Sequence, residues 1–200
     1  MGCKQTVAPT AQAVTISEAA LHCRCEEDAD LSKLGDFIRG ATEYVESQTN
    51  RQLMTATYQY TLDRFPFSDA GGVCQDMPIL LPWSPLQSVT SIAYIDSSGT
   101  TQTLGASTYI VDDSRDPARI VPAYSQTWPF TQSRINAVTV TFVAGYTSQI
   151  AVPYALKAAI MLLVGNWMEN REATISGTII AKVPYAVESL LWTYKVPVFI

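Results

Sequence analysis

Two hundred residues, 48% hydrophobic and 16% charged, describe a globular chain with enough length to bury a good core. A net charge of −5 argues against a protein that grips nucleic acid by neutralising phosphates, and leaves room for a smooth wall that repels DNA. Cys3, Cys23, Cys25 and Cys74 are unevenly spaced behind an N-terminus that does not read as a signal peptide, so reduced thiols are expected rather than a disulfide framework.

In chain order, residues 1–14 are small and polar and read as a flexible arm. Met1 to Thr6 also matches a myristoylation pattern, with Cys3 free for a second acyl chain, but the motif is short. Thr15-Ile-Ser-Glu18 has the form of a capping box and predicts a helix to about Cys25. The acidic run Glu26, Glu27, Asp28, Asp30 precedes a clearer helix. There Leu31, Leu34, Ile38, Ala41, Val45 and Gln48 step by three and four, so one face is buried to near Thr49. Gly35 and Gly40 weaken this helix and suggest close helix contact or a bend.

From Thr57 the period changes to that of a strand, through Tyr58, Tyr60 and Leu62. Ile79 to Leu81, between two prolines, has room only for a short extended piece. Ser88 to Asp96 is a strand that turns at Asp96-Ser-Ser-Gly99 into Thr100 to Leu104, a hairpin. Tyr109 to Val111 and Ile120-Val121 flank a further turn, and Val138, Val140 and Phe142 alternate with Thr139 and Thr141 in a strong last strand. The long helix from Val152 to Ala173 is the centre of the chain. Leu156, Ile160, Leu163 and Trp167 form one apolar stripe, and Ala155, Ala158, Ala159, Met161 and Leu162 make the remainder apolar too, which calls for burial on more than one side. Lys157 and Asn166 keep the uncharged run too short to cross a bilayer. A short helix over 184–191 and an apolar tail over 195–200 complete the chain.

The resulting class is α+β, a helical base with an inserted antiparallel β subdomain, in a single domain over 15–194. Its parts are helices over 15–52, a β-rich region over 57–146 and the helices at 152–173 and 184–191. No catalytic motif is found: there is no nucleophile elbow, zinc-protease helix, Walker loop or dinucleotide fingerprint. His22 beside Cys23 and Cys25 invites a metal reading, but that spacing on a helix does not converge on one point, so no metal or other cofactor is expected.

The order of these segments resembles the head-tail connector (head-completion adaptor) proteins of long-tailed bacteriophages and gene-transfer agents, from about Thr15 to Tyr194. The resemblance rests on the capped first helix, Tyr44-Val-Glu-Ser-Gln-Thr-Asn-Arg51, Leu81-Pro-Trp-Ser-Pro-Leu-Gln-Ser-Val-Thr-Ser-Ile92 and Tyr109-Ile-Val-Asp112. It continues through Asp116-Pro-Ala-Arg-Ile120, Trp128-Pro129, Val138 to Tyr146, Asn166-Trp-Met-Glu-Asn-Arg-Glu172 and Pro184-Tyr-Ala-Val-Glu188. The cysteine-bearing first helix and the Lys195 to Ile200 end depart from the pattern.

The resemblance implies a non-enzymatic virion protein made in the cytoplasm of a bacterial host and located at the neck. Such proteins form a homo-oligomeric ring, usually a dodecamer, under the portal protein. The ring prolongs the channel for double-stranded DNA, which passes without specific binding, and meets a stopper or tail-terminator protein. Candidate interface residues are Glu169, Asn170, Arg171 and Glu172 at the end of the long helix, and Trp192, Tyr194, Val196, Val198 and Phe199 at the chain end. The terminus is expected to dock on the portal or an adjacent subunit, because apolar chain ends usually bind something. Rival readings are another virion ring protein such as a stopper or tail terminator, against which the two strong helices speak, an N-acylated peripheral membrane protein, and a small enzyme relying on carboxylates.

Overall fold

The computed structural model describes residues 2–25, 28–68, 75–169 and 185–197. The chain folds as α+β, in two compact units. The helical unit takes Thr10–Met54 and Tyr146–Val196, and the β unit takes Met1–Pro9, Thr55–Gly145 and Pro197–Ile200. The reason is that two separate apolar clusters form, one of helix stripes and one of alternating strand residues.

In the helical unit, α1 (Ile16–Cys23) starts at the expected capping box. The Glu18 N–H donates to Thr15 Oγ1 at 3.1 Å, and the Thr15 N–H donates to Glu18 Oε2 at 2.7 Å. The bonds that the Thr15 N–H and, at 2.8 Å, the Thr15 hydroxyl donate to Glu18 Oε2 hold that carboxyl below its ordinary range, so their contribution is present at neutral pH and fades as the medium turns acid. Thr15→Ala should cost about 1 kcal/mol, read as a lower unfolding midpoint at pH 7. Helix α2 (Asp28–Thr49) buries Leu34, Ile38, Ala41 and Val45 completely. The stripe ends on buried Thr49 rather than on Gln48, which is exposed, because position 49 stands one full turn beyond Val45.

Helix α3 (Tyr154–Glu169) buries Leu156, Ile160, Leu163 and Val164, while Trp167 is partly buried and meets Phe37 edge-to-face at 6.3 Å. Burying each of these aliphatic side chains is worth about 1.5–3 kcal/mol. A Cβ on Gly40 would lie 3.6 Å from the Trp167 ring, an ordinary van der Waals contact, so the packing of α3 on α2 leaves room there for an alanine. Helix α4 (Tyr185–Trp192) adds Val187 and Leu191 to the same core.

The β unit holds a five-stranded antiparallel sheet ordered β1 (Gly2–Val7), β2 (Ala56–Leu62), β10 (Val138–Ala144), β6 (Leu86–Ile95), β7 (Thr101–Thr103). A second sheet is ordered β5 (Ile79–Leu80), β9 (Arg119–Pro122), β8 (Tyr109–Asp112), and β3 (Phe67–Ser68) pairs with β4 (Gln75–Asp76). Alternation buries Val138, Val140, Phe142 and Ala144 of β10, with β2 and β6 on either side. Tyr58 stacks on Phe142 at 5.6 Å and on Trp83 at 5.3 Å, and Phe65 stacks on Trp128 at 4.9 Å. The β6–β7 hairpin is closed by Asp96, whose carboxylate accepts from the Ser98 and Thr100 N–H groups at 2.9 Å, with Gly99 supplying a φ of 85°. These bonds, led by that from the Ser98 side chain, hold the Asp96 carboxyl down to about 2.

The N-terminal segment departs from expectation. Gly2–Val7 is not an arm without structure but an edge strand paired with β2, Cys3 opposite Tyr60 and Lys4 opposite Gln59. Its main chain supplies what its side chains do not: all six residues are exposed, and the strand is held by the ladder and by bonds such as Thr61 Oγ1 to Gly2 O at 3.1 Å. Cys3, the second acyl acceptor of the lipidation reading, is exposed as a residue. Its sulfur is desolvated, which pushes the thiol up to about 11 despite a hydrogen bond with Trp83.

Candidate functional site

The helical unit presents an apolar outer face as well as an apolar core. On α3, Tyr154 is 81% and Leu162 37% exposed, with Ala158 and Met161 partly exposed between them at helical spacing. On α4, Tyr185 and Trp192 stand seven residues apart on one face, 85% and 79% exposed, with Glu188 and Ser189 between them. Lys157 is buried, with its ammonium 5.8 Å from the centre of the Tyr154 ring. A near all-round apolar α3 is therefore covered on most sides, by contacts through Leu156, Ala159, Ile160, Leu163 and Val164, and leaves Tyr154 and Leu162 as its exposed apolar residues.

Of the expected interface residues, Glu169 and Trp192 are exposed and Tyr194 is partly buried against the helical core. Val196 requires a correction. It is 2% exposed, its N–H donates to Thr49 O at 2.9 Å, and its carbonyl accepts from Asn50 Nδ2 at 2.8 Å. Arg51 Nε donates to Tyr194 O at 2.7 Å alongside. The end of α2, where Asn50 takes a left-handed φ of 52°, has carbonyls without helical partners, and this segment supplies a donor to one of them. The expectation that the terminus docks elsewhere thus fails at Val196, which folds back on its own unit. Asn170, Arg171, Glu172, Val198 and Phe199 lie outside the described residues.

Beside this clamp, Glu46 Oε1 accepts from the Leu53 N–H at 2.9 Å and from Gln52 Nε2 at 2.8 Å. Burial pushes its carboxyl up to about 7; the Leu53 bond opposes the shift and the Glu43 charge adds to it. A raised carboxyl means that the unfolded chain releases the proton first, so stability falls as pH rises from the ordinary carboxylate range to about 7 and is flat beyond. Glu46→Gln keeps an acceptor and removes the charge. It should match the parent at pH 4 and exceed it at pH 8 by on the order of 2 kcal/mol, measured by urea unfolding at both pH values.

A second surface belongs to the β unit and has no counterpart in the sequence reading. Between β9 and β10, residues 123–137 form a loop without helix or strand, on which Tyr124 is 97%, Phe130 92% and Ile135 74% exposed. The loop is tethered along its length. The Ala123 N–H donates to Thr108 O, Trp128 Nε1 to Met77 O at 3.0 Å, the Gln132 N–H to Ile95 O at 3.0 Å and the Asn136 N–H to Asp63 Oδ1 at 2.9 Å. It walls a cavity of about 770 Å³ with Asp63, Arg64, Phe65 and Phe67, and the Arg64 guanidinium lies 5.3 Å from the Phe67 ring centre. The available signal was length: structureless loops of this size in a compact unit usually carry function.

Among the described residues no three His, Cys, Asp or Glu groups gather to hold a metal ion. The His22 ring packs beside Gly165, and the Cys25 thiol reaches the Cys23 carbonyl, at 3.8 Å. Cys74 lies outside the described residues.

No protein-family model matches the sequence, and no curated protein matches it. Solved structures do. A chain in the neck of an empty GTA particle, computed with C6 symmetry, is 22% identical, with a TM-score of 0.76. One in the virion of a native gene transfer agent (GTA) particle is 21% identical at 0.77, and one in a native GTA neck computed with C12 symmetry is 22% identical at 0.71. Each comparison covers 100% of this chain and 98% of the other. The chain has their fold. Superposition over nearly the whole of both chains means that the two-unit architecture is shared with particle proteins, while the low identity leaves the fold as the extent of what is shared.

Proposed function

We propose that this chain is a structural, non-enzymatic protein of a virion neck: an adaptor whose copies close into a ring under the portal protein and join the capsid to the tail. The observation that carries this reading is the end-to-end likeness to chains of necks computed with sixfold and twelvefold symmetry. Twelve copies is the number that the resemblance of the sequence and the twelvefold neck both favour. A head-to-tail ring needs two different faces on each subunit, and the outward apolar face of α3 and α4 supplies one of them. The net charge of −5, turned toward the channel, keeps passing double-stranded DNA from adhering. The stopper or tail-terminator protein meets the side of the ring away from the portal, and Glu169 and Trp192 belong to the contacts between subunits or with the portal.

The test is electron microscopy of particles made when this gene alone is disrupted in its parent phage or gene-transfer element. DNA-filled or leaking heads beside separate, finished tails are expected. Intact tailed particles would overturn the reading.

A further inference from the structure

We infer that the loop-walled cavity of the β unit is a docking site for an acidic segment of a partner protein that carries an aromatic or branched apolar anchor. The inference stands on the cavity and not on the neck reading. A loop held at Ala123, Trp128, Gln132 and Asn136 has already lost most of its conformational freedom, so its exposed Phe130 and Ile135 are presented at little further entropic cost. Large apolar side chains at 92% and 74% exposure on a tethered loop, beside a concavity floored by the Phe65–Trp128 stack, are the form of an anchor pocket.

Charge selects the occupant. The cavity is lined by two guanidinium groups, Arg64 and Arg134, and by one carboxylate, Asp63, one of whose oxygens is engaged by the Asn136 N–H. The Arg64 guanidinium lies 5.3 Å from the centre of the Phe67 ring, and its planar fork is the group that pairs with a carboxylate through two hydrogen bonds. A locally cationic, apolar pocket on a chain of net charge −5 selects acidic groups adjoining an apolar side chain. A protein segment fits better than DNA, since two cations beside exposed Phe130 and Ile135 offer few phosphate contacts and much apolar area.

The experiment titrates the full chain with end-blocked hexapeptides and follows the indole N–H resonance of Trp128, which is fixed on Met77 O in the cavity wall. Asp-Glu-Phe-Leu-Asp-Glu should shift it, with Lys-Lys-Phe-Leu-Lys-Lys and Asp-Glu-Ala-Ala-Asp-Glu at least about tenfold weaker. Arg64→Gln with Arg134→Gln should weaken the acidic peptide at least about tenfold, as should Phe130→Ser, each variant keeping the parent's indole resonance without peptide. The proposal falls if the acidic peptide gives no shift at millimolar concentration or if the lysine peptide binds equally well. It falls also if a short DNA duplex shifts the resonance as strongly, or if the cavity is filled by self-association that Phe130→Ser abolishes.

Discussion

Phe142→Ala is expected to destabilise the β unit by about 3–5 kcal/mol. Phe142 is fully buried in the middle strand of the five-stranded sheet, opposite Tyr58 on β2 and Val89 on β6. Its ring stacks on Tyr58, which stacks in turn on Trp83. Removing it therefore opens a void and also strips one face from the aromatic pile that joins strand to loop. Collapse around the void is limited, because Val138, Val140 and Ala144 on the same face of β10 are themselves tied into the ladders. Urea unfolding followed through Trp83 and Trp128, both in the β unit, reads the effect; a loss below about 1 kcal/mol would contradict the packing described.

Tyr185→Asp combined with Trp192→Asp should do the opposite: leave the subunit's own unfolding midpoint nearly unchanged and abolish assembly. Both side chains are exposed on the helical unit, and substitutions at such positions usually change stability within about 0.5 kcal/mol. If the face is covered by another subunit in a ring, each substitution buries a carboxylate against apolar neighbours. A loss of about 3 kcal/mol per contact, repeated around the ring, cuts tailed particles more than a hundredfold. Particle counts by electron microscopy, with circular dichroism melts of the purified variant, decide it. Normal tailed particles would show that this face meets solvent, and loss of the cooperative melt would show that the residues support the fold.

How far the sequence led depended on the kind of regularity involved. The capping box at Thr15, the α2 stripe through Leu34, Ile38, Ala41 and Val45, and the β10 alternation are local patterns with a fixed period, and each stands where its spacing put it. The Asp96 turn and the β8–β9 pair were legible for the same reason, since turn chemistry is written in a few adjacent residues. Three features were not. Gly2–Val7 has no apolar alternation, so its strand state comes from a ladder with residues more than fifty positions away. Val196 looked like a sticky end because the α2 carbonyl that its N–H satisfies belongs to a residue far earlier in the chain. Phe130 and Ile135 sit in a stretch without period, where only the tertiary tethers show that the loop is held. Helix α3 lies between these cases: its all-round apolarity was plain, but which of its apolar residues stay exposed is a matter of the partners of α3.

The first strand has a consequence for how the chain must be handled and made. Because all six of its residues are exposed, losing residues 1–9 removes almost nothing from the core and should barely alter the heat the chain withstands. It would, however, lay bare the hydrogen-bonding edge of β2 along Ala56–Leu62, with Tyr58 and Tyr60 in it and no proline to spoil a further strand. A shortened chain would fold and then stick to its copies edge to edge. Gly2–Val7 serves the protein less as a support than as a sealed hem along the edge of β2.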